Sequence, residues 1–381
     1  MLKFVRISSL YPEVARLLNR DFQKRTNLRY KRLLKKVFFF NFGEGNKITN
    51  ELIKKNYECN EIVANVDFLQ NQWKNQYSKF DTEKDILLSQ IKFYKPNIVY
   101  FANYSLINEK LISKIKKLKF IKLIMVFHCS PVNPKIKKKL KLTDLVITCT
   151  DGYQKEISKN VKKKVYKINH AFNVNKKGYE NFKKRNIDIT FIGSLYIKSG
   201  LHIKRINLIY NLIKKFDNSY IAVNFSSKNF YQLFVFLLSP KINLSLIKKF
   251  NLIYKFFYIY KNSKKPIYGK EMIKILHKTK ILINSHIEDT KYAGNMRLFE
   301  GTGSGTLVLT DKKIGLNALF DVNKEIVVYK NISDLIIKCK KYLLNVEETK
   351  KIANNGKNKT MRHHSYKKRV DLLDKIIKVN I

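Results

Sequence analysis

Polar residues that suit a phosphate-bearing ligand cluster near the start of one predicted helix. Asn295, Arg297 and Glu300 are followed by Gly303 and Gly305, after which the chain enters an apolar, β-branched stretch. A guanidinium matches the oxygens of a phosphate, and an ionised carboxylate only accepts hydrogen bonds, which suits hydroxyl groups. A helix, a glycine turn and a buried strand in this order indicate a nucleotide-type site in an α/β domain. A surface salt bridge of Arg297 and a plain turn at the glycines are the alternatives.

Two further glycine segments are candidates for lining a ligand site. Gly193 and Ser194 end a predicted strand at 187–192, so their amides or the serine hydroxyl could hold a diphosphate. Gly43 and Gly45 follow another predicted strand at 36–42. This second signal is weak, because two glycines without a complete dinucleotide fingerprint usually form only a turn.

Three residues are candidates for a general base acting on an acceptor hydroxyl. His128 and His286 each follow a predicted strand, and Glu288 offers a carboxylate close to His286. The alternative for either histidine is a structural, hydrogen-bonded role. The seven histidines show no metal-ligand spacing, so we predict no metal site.

Two successive sets of alternating strands and helices would position these residues. Residues 2–36 are predicted to be helical, and the first sheet follows with strands at 36–42, 61–65, 97–101, 122–127, 145–149 and 165–169. A second sheet is predicted from strands at 187–192, 220–224, 281–284, 306–310 and 326–329. The order predicts an α/β fold of two doubly wound parallel sheets, with ligands outside the carboxyl ends of the strands. The predicted boundaries are a helical extension at 1–35, Rossmann-like domains at 36–175 and 187–362, and a terminal helix at 363–381.

The strongly basic composition argues only weakly for a nucleic-acid partner. The formal net charge is +48, but 66 of the 77 basic residues are lysines and only 11 are arginines. The lysines spread along the whole chain, and we find no zinc module, helix-turn-helix or RNA-recognition signature. We therefore expect no specific nucleic-acid partner, although such a surface attracts anionic lipid and nucleotide phosphates.

The cysteines and the apolar segments indicate where in the cell the protein is located. Cys59, Cys129, Cys149 and Cys339 form no CxxC pair, which argues against a zinc site or a disulfide scaffold and favours a reducing cytoplasm. The first residues lack the apolar core of a signal peptide, and no run is long enough to span a bilayer. Residues 230–260 mix aromatic residues with lysines, which suits either a peripheral site on an anionic membrane or an internal helix pair.

The chain closely resembles the CgeB-like (spore-maturation type) glycosyltransferases of the GT-B fold. The resemblance covers nearly the whole chain through landmarks in a consistent order. They include Ser9-Leu-Tyr-Pro12, Ile62-Val-Ala-Asn65, Asp188-Ile-Thr-Phe-Ile-Gly193-Ser194, Ile283-Asn284-Ser-His286, Asn295-Met-Arg297-Leu-Phe-Glu300 and His364-Ser-Tyr366. It implies two Rossmann-like domains facing a cleft, with a nucleotide-sugar donor bound mainly by the second, and a C-terminal helix that packs back across that cleft.

The resemblance also implies roles for individual residues. Glu300 would accept hydrogen bonds from the ribose hydroxyls of the donor, and Asn295 and Arg297 would meet the sugar or the phosphates. Related retaining enzymes often carry another glutamate just over two helical turns upstream, where this chain has Tyr292. That departure leaves the stereochemistry open.

We therefore expect a cytoplasmic, metal-independent hexosyltransferase-type enzyme that acts on a cell-envelope glycan or glycoconjugate and needs no cofactor beyond its donor. A GT-B protein without activity and a binder of nucleic acid or other anionic polymers are the alternatives.

Overall fold

The computed structural model describes residues 1–25, 27–78, 85–173, 182–195, 202–225, 230, 231, 233, 235, 237, 245–288 and 290–381. Within these residues the chain divides into two compact units. Unit 1 comprises Met1–Ala171 and Tyr366–Ile381, and unit 2 comprises Phe172–Ser365. Of the segment between the two predicted Rossmann-like domains, residues 176–181 lie outside the described part of the chain.

Unit 1 is built on a six-stranded parallel sheet with the order β2-β1-β3-β4-β5-β6. Its strands are β1 (Leu2–Ser8), β2 (Tyr57–Val63), β3 (Ile98–Phe101), β4 (Leu123–Phe127), β5 (Leu145–Thr148) and β6 (Lys164–Lys167). The helices between them are α1 (Pro12–Gln23), α2 (Tyr30–Phe39), α3 (Lys47–Ile53), α4 (Asp67–Tyr77), α5 (Ile86–Tyr94), α6 (Glu109–Lys116), α7 (Pro134–Leu140) and α8 (Asp151–Val161), with a short 3-10 helix at Tyr104–Leu106. The middle strands β3, β4 and β5 are apolar and buried almost throughout, as expected of a sheet covered by helices on each side.

The prediction of a wholly helical N-terminus is wrong, because β1 lies between β2 and β3 inside the sheet. Phe4, Val5 and Ile7 are all buried. Arg6 interrupts this run in the sequence, yet it is also buried, with its guanidinium donating to Glu44 at 2.9 Å and to Glu61 at 3.2 Å. A short apolar run cannot be assigned to helix or strand by periodicity alone, and the acidic partners of Arg6 are remote in sequence.

The strand predicted at 36–42 is also wrong, because most of it belongs to α2. Tyr30, Leu33 and Val37 are buried at helical spacing, whereas Phe39 is 71% exposed. Gly43 therefore follows a helix and precedes α3, so it does not lie at the end of a strand. Its φ of +59° still explains the glycine, since other residues rarely adopt that conformation.

The expectation that the cysteines form no disulfide is wrong for one pair. Cys129 and Cys149 are bonded to each other, with Cα atoms 5.6 Å apart. Cys129 follows β4 and Cys149 follows the adjacent parallel strand β5, so the fold brings together two residues separated by 20 positions. Sequence spacing alone cannot show this proximity. Cys59 and Cys339 are free.

Unit 2 has a five-stranded parallel sheet with the order β11-β10-β9-β7-β8. Its strands are β7 (Ile187–Ser194), β8 (Ser219–Asn224), β9 (Thr279–Asn284), β10 (Leu307–Asp311) and β11 (Val327–Tyr329). The helices are α9 (Ile203–Lys215), α10 (Leu246–Asn262), α11 (Gly269–Lys278), α12 (Met296–Gly303), α13 (Ile332–Leu344) and α14 (Val346–His363), and a 3-10 helix lies at Phe182–Lys184. The two parallel α/β sheets agree with the predicted fold class.

The last helix, α15 (Tyr366–Asn380), belongs to unit 1. It packs against α3, and Tyr57 of β2 donates a hydrogen bond to Asp374 at 2.8 Å. Lys55 forms a salt bridge with Asp371, also at 2.8 Å. The chain thus returns to its first unit after completing the second.

Helix α12, which carries the polar residues singled out in the sequence, is held in place by close contacts on two sides. A Cβ at Gly301 would overlap Leu282 and Val308 of the sheet. On the other side, Thr302 shares a hydrogen bond of 2.7 Å with Thr360 of α14. In α14 itself, a Cβ at Gly356 would overlap the carbonyl oxygen of Glu325.

We expect Gly356→Ala to lower the free energy of unfolding by roughly 1–3 kcal/mol, the usual cost of overpacking. An alanine in an open helical position would instead stabilise the protein. Asn354→Ala, at an exposed position of the same helix, is the matched control and should be neutral or stabilising. Urea unfolding followed by circular dichroism measures both. A Gly356→Ala variant that is as stable as the control would contradict the packing described for α14.

Candidate functional site

The carboxyl ends of β7, β9 and β10 bring several polar residues together in unit 2. Asn284, the last residue of β9, donates from Nδ2 to the hydroxyl of Thr310 on β10 at 2.9 Å. Its Oδ1 accepts a hydrogen bond of 2.9 Å from Nδ2 of Asn295, which precedes α12. The Oδ1 atom of Asn295 is buried and meets no donor among the described residues. The predicted residue Asn295 thus offers an open acceptor at this edge of the sheet.

His286 and Asp311 form a hydrogen-bonded pair at the same edge. Nδ1 of His286 lies 2.8 Å from Oδ1 of Asp311, which also accepts the backbone N–H of His286 at 3.0 Å. Burial alone would raise the pKa of Asp311, but its hydrogen bonds with His286 and its electrostatic attraction to His286 and Lys313 lower it overall. Nε2 of His286 is buried without a partner in the described part of the chain. A carboxylate on Nδ1 orients the imidazole so that Nε2 can accept a proton.

Glu300 and Arg297 contact each other on α12. Nη1 of Arg297 donates to Oε2 of Glu300 at 2.7 Å, and both side chains are largely buried. No described residue donates to the other carboxylate oxygen of Glu300, Oε1. The structure thus places Arg297 in a salt bridge, the alternative that its sequence context left open, and only one oxygen of Glu300 takes part in that contact.

Gly193 and Ser194 end β7 and lie beside a buried cation. Arg205 of α9 donates to the carbonyl oxygen of Ser194 at 2.9 Å and to that of Ser285 at 2.7 Å. Arg205 is 7% exposed, and no carboxylate of the described residues lies within salt-bridge distance. Burial lowers the pKa of Arg205 to about 10, so the guanidinium remains charged at neutral pH. A positive charge therefore lies beneath the ends of β7 and β9.

Two of the predicted residues have structural contacts that account for them. Glu288 accepts the backbone N–H of Lys204 at 2.6 Å, which satisfies a free amide in the first turn of α9. Gly303 ends α12, and a Cβ there would overlap the ring of Phe172, so close packing explains this glycine. Neither contact requires a ligand.

The remaining predicted residues, His128 and Gly43, belong to unit 1. His128 follows β4 and is 2% exposed, with Nε2 at 3.3 Å from the hydroxyl of Ser130. Burial lowers the pKa of His128, so the imidazole is neutral at pH 7. Gly43 accepts a hydrogen bond of 2.8 Å from the ammonium group of Lys47 on its carbonyl oxygen.

Five residues of the edge in unit 2 were not predicted as site residues: Arg205, Asn284, Thr310, Asp311 and Tyr329. Tyr329 ends β11 and donates its hydroxyl proton to the carbonyl oxygen of Asn284 at 2.9 Å. A signal did exist for Asp311, because an acidic residue directly follows an apolar strand. Arg205 stood out only as one of the few arginines in a lysine-rich chain.

The C-terminal part of the chain matches a known protein family. Residues 248–375 match the family described as "Glycosyl transferase-like". This segment contains His286, Asn295, Arg297 and Glu300. No curated protein matches the chain.

Solved structures with the same fold cover essentially the whole chain. A glycosyltransferase from Rickettsia africae is 13% identical, with a TM-score of 0.55, over 99% of this chain and 98% of its own. Anabaena Alr3699/HepE in complex with UDP and glucose is 10% identical, with a TM-score of 0.60 and full coverage of both chains. Sucrose-phosphate synthase from Thermosynechococcus elongatus is 8% identical, with a TM-score of 0.61, over 100% of this chain and 99% of its own. The fold of this chain is GT-B.

We expect Asp311→Asn to destabilise the protein in a pH-dependent manner. The folded pKa of Asp311 lies below its ordinary value, so its charged form stabilises the protein above about pH 4 and this contribution disappears as the pH falls through the folded pKa. The substitution should cost roughly 2 kcal/mol at pH 7, the usual value for a hydrogen bond to a charged group.

The test is urea unfolding of the wild type and the variant at a series of pH values from 7 to 3. Asp217→Asn, at an exposed position in the same unit, is the control and should change little at any pH. The account of the pair fails if Asp311→Asn is neutral at pH 7, or if its cost is as large at pH 3 as at pH 7.

Proposed function

We propose that this chain is a CgeB-like glycosyltransferase that moves a hexosyl group from a nucleoside diphosphate-sugar to a hydroxyl acceptor. The proposed acceptor is a cell-envelope glycan or glycoconjugate, and no metal takes part in the transfer. The match of residues 248–375 to a glycosyltransferase-like family supports this activity, as does the GT-B fold. UDP and glucose are bound by one protein of that fold, Anabaena Alr3699/HepE, which supports a nucleotide-sugar donor.

The main structural support for this proposal is the carboxylate of Glu300. It lies on α12 inside the matched segment, and one of its oxygens has no donor in the described part of the chain. A carboxylate with a free oxygen accepts hydrogen bonds from vicinal hydroxyls such as those of a ribose. Arg297 fixes the rotamer of Glu300 through the other oxygen, so the acceptor is oriented before the ligand arrives.

The diphosphate of the donor would lie at the ends of β7 and β9. Arg205 supplies a positive charge there, and its guanidinium binds the carbonyl oxygens of Ser194 and Ser285. In the transfer, the acceptor oxygen forms a bond to the anomeric carbon while the bond from that carbon to the diphosphate oxygen breaks. The negative charge that develops on the leaving diphosphate is stabilised by this fixed cation and by backbone amides around Gly193.

His286 is the proposed general base for the acceptor hydroxyl. Asp311 holds Nδ1, and Nε2 has no partner among the described residues, so this nitrogen can take the proton that the acceptor loses. Glu288 is a weaker candidate, since its carboxylate already accepts the N–H of Lys204. His128 is the alternative candidate for the base, and its imidazole is neutral at pH 7.

We expect Glu300→Gln to weaken the binding of UDP by roughly 2 kcal/mol, or about 30-fold, because a charge-assisted hydrogen bond to the ribose is lost. Isothermal titration of the purified protein with UDP measures the dissociation constant. Glu271→Gln, an exposed salt-bridged glutamate on α11, is the matched control and should bind UDP as the wild type does. Equal affinity of a folded Glu300→Gln variant and the wild type would rule out the ribose contact.

A variant at His286 separates an active enzyme from a GT-B protein that only binds nucleotide. His286→Ala should retain UDP affinity within a few-fold and lose at least 100-fold in the rate of sugar transfer, as is usual for a general base. Release of UDP from UDP-glucose in the presence of acceptor reports the rate. No transfer by the wild type with any donor or acceptor would favour the binding protein, and an unchanged rate in the variant would remove His286 from the mechanism.

The proposed location of the enzyme is the cytoplasmic surface of an anionic membrane, reached through helix α10. Searched over the described residues, the structure contains no helix that is long and apolar enough to cross a bilayer. One face of α10 packs into the core of unit 2 through Leu252, Phe256 and Ile259. The opposite face is apolar yet exposed, by 72% at Leu246, 81% at Ile247, 69% at Phe250 and 54% at Tyr254.

Charge around this exposed face matches an anionic lipid surface. Lys248 and Lys261 are exposed on the same helix, and the chain carries a formal net charge of +48. Aromatic and aliphatic side chains that enter the headgroup region, flanked by lysines that reach the phosphates, are the composition of an interfacial helix. Residues 232, 234, 236 and 238–244 of the segment predicted for this role lie outside the described part of the chain.

We expect vesicles that contain anionic lipid to co-sediment the protein, and neutral vesicles to do so far less. Ile247→Ser/Phe250→Ser should reduce binding at least ten-fold without unfolding the protein, because both side chains are exposed. Ile337→Ser/Leu344→Ser, which changes equally exposed apolar residues of α13, is the control and should bind as the wild type does. Binding that is equal for neutral vesicles, or unaffected by the α10 variant, would remove the membrane from the proposal.

A further inference from the structure

Three potential metal ligands meet at one edge of the sheet in unit 1, outside the site described above. The sulfur atoms of Cys129 and Cys149 and a ring nitrogen of His170 all lie within 4.8 Å of one another. Cys149 is 2% exposed, and the other two residues are half-buried. A disulfide requires only the two cysteines, so the convergence of a histidine on the same point calls for a separate explanation.

The topology of the sheet explains why these residues meet. Cys129 follows β4, Cys149 follows β5 and His170 follows β6, and these three parallel strands are neighbours. Each ligand is therefore one strand-helix-strand step beyond the previous one, which gives separations of about twenty residues. Spacing of that kind matches no sequence motif for a metal site, and for this reason the residues were not predicted as ligands.

Hydrogen bonds fix the backbone on all three sides of the cluster. The N–H of His128 donates to Ile147 at 2.9 Å, which connects the residue before Cys129 to β5. The side-chain amide of Asn169 donates to the carbonyl oxygen of Cys149 at 2.7 Å, which connects the residue before His170 to Cys149. The ligands are thus held near one another by the fold, before any ion binds.

The geometry and the charge of the cluster suit a thiophilic cation. In a tetrahedral zinc site with ordinary Zn–S and Zn–N bonds, neighbouring ligand atoms lie roughly 3.5 Å apart, so small side-chain rotations bring this cluster into range. Two thiolates neutralise a divalent cation. A neutral site is favourable here, because the guanidinium of Arg369 lies close by and donates to the carbonyl oxygen of His170 at 3.3 Å.

We propose that the reduced forms of Cys129 and Cys149, together with His170, bind a divalent cation of the zinc class, with solvent as the fourth ligand. Binding displaces one proton from each thiol. The disulfide seen in the structure is the alternative state of the same sulfurs and excludes the metal. The ion would connect the ends of β4, β5 and β6 and would not take part in sugar transfer. This proposal and the proposed function can therefore be tested, and rejected, independently of each other.

Cobalt(II) is the probe, because thiolate coordination gives it a charge-transfer band in the near ultraviolet. The protein is first reduced with a water-soluble phosphine: the disulfide takes two electrons and two protons to give two thiols, and the phosphine is oxidised to its oxide with oxygen from water. The intact chain is then freed of metal by a chelator and titrated with cobalt without oxygen. Zinc should displace the cobalt and abolish the band.

We expect the reduced wild type to bind one equivalent of cobalt, and Cys59→Ser, a change at a free cysteine outside the cluster, to behave identically. Cys149→Ser should weaken binding at least 100-fold. His170→Ala keeps both thiols, which a thiol titration verifies, and should weaken binding at least ten-fold. Absence of the charge-transfer band in the reduced wild type, or equal cobalt affinity in a folded His170→Ala variant, would overturn the proposal.

Discussion

The side chain and carbonyl of one asparagine connect the four elements on which the candidate site of unit 2 is built. Asn284 ends β9, donates to Thr310 on β10 and accepts from Asn295 at the start of α12. Its backbone carbonyl accepts the hydroxyl of Tyr329 from β11. An apolar residue at this position would leave the Thr310 hydroxyl and the Asn295 amide without this partner, at a cost of about 1–3 kcal/mol for each group, whereas the backbone carbonyl would still accept from Tyr329. The position of α12, and with it that of Glu300, therefore depends on this small polar network.

The charged groups around that network differ in whether a group of opposite charge lies next to them. Arg297 and Glu300 neutralise each other, and Asp311 is stabilised by His286. Arg205 donates to two backbone carbonyl oxygens, and its Nη1 lies 3.4 Å from Nδ1 of His202. Among the described carboxylates, Asp311 and Glu288 attract its positive charge only from beyond salt-bridge distance. A buried cation without an ion pair is costly for folding unless an anion binds beside it. This imbalance is the main electrostatic reason for proposing a phosphate-bearing donor.

The sequence predicts the second half of the chain better than the first. The strands of unit 2 carry continuous apolar runs with glycines or polar residues at their ends, and the predicted positions of Gly193, His286 and Asn295 agree with the structure. Errors arose where a partner remote in sequence decides the conformation. The burial of Arg6 in β1 depends on Glu44 and Glu61, and the pairing of Cys129 with Cys149 depends on the adjacency of two parallel strands. The roles of Arg205 and Asp311 likewise follow from contacts made across the sheet, which no local pattern contains.

The proposed position of the nucleotide can be checked by a crystal structure of the protein with UDP. We expect ribose hydroxyls within hydrogen-bond distance of Oε1 of Glu300. We expect phosphate oxygens at the carboxyl end of β7, beside Ser194 and near the positive charge of Arg205. UDP bound with its ribose away from Glu300, or no nucleotide at this edge of the sheet at a saturating concentration, would contradict the proposed position.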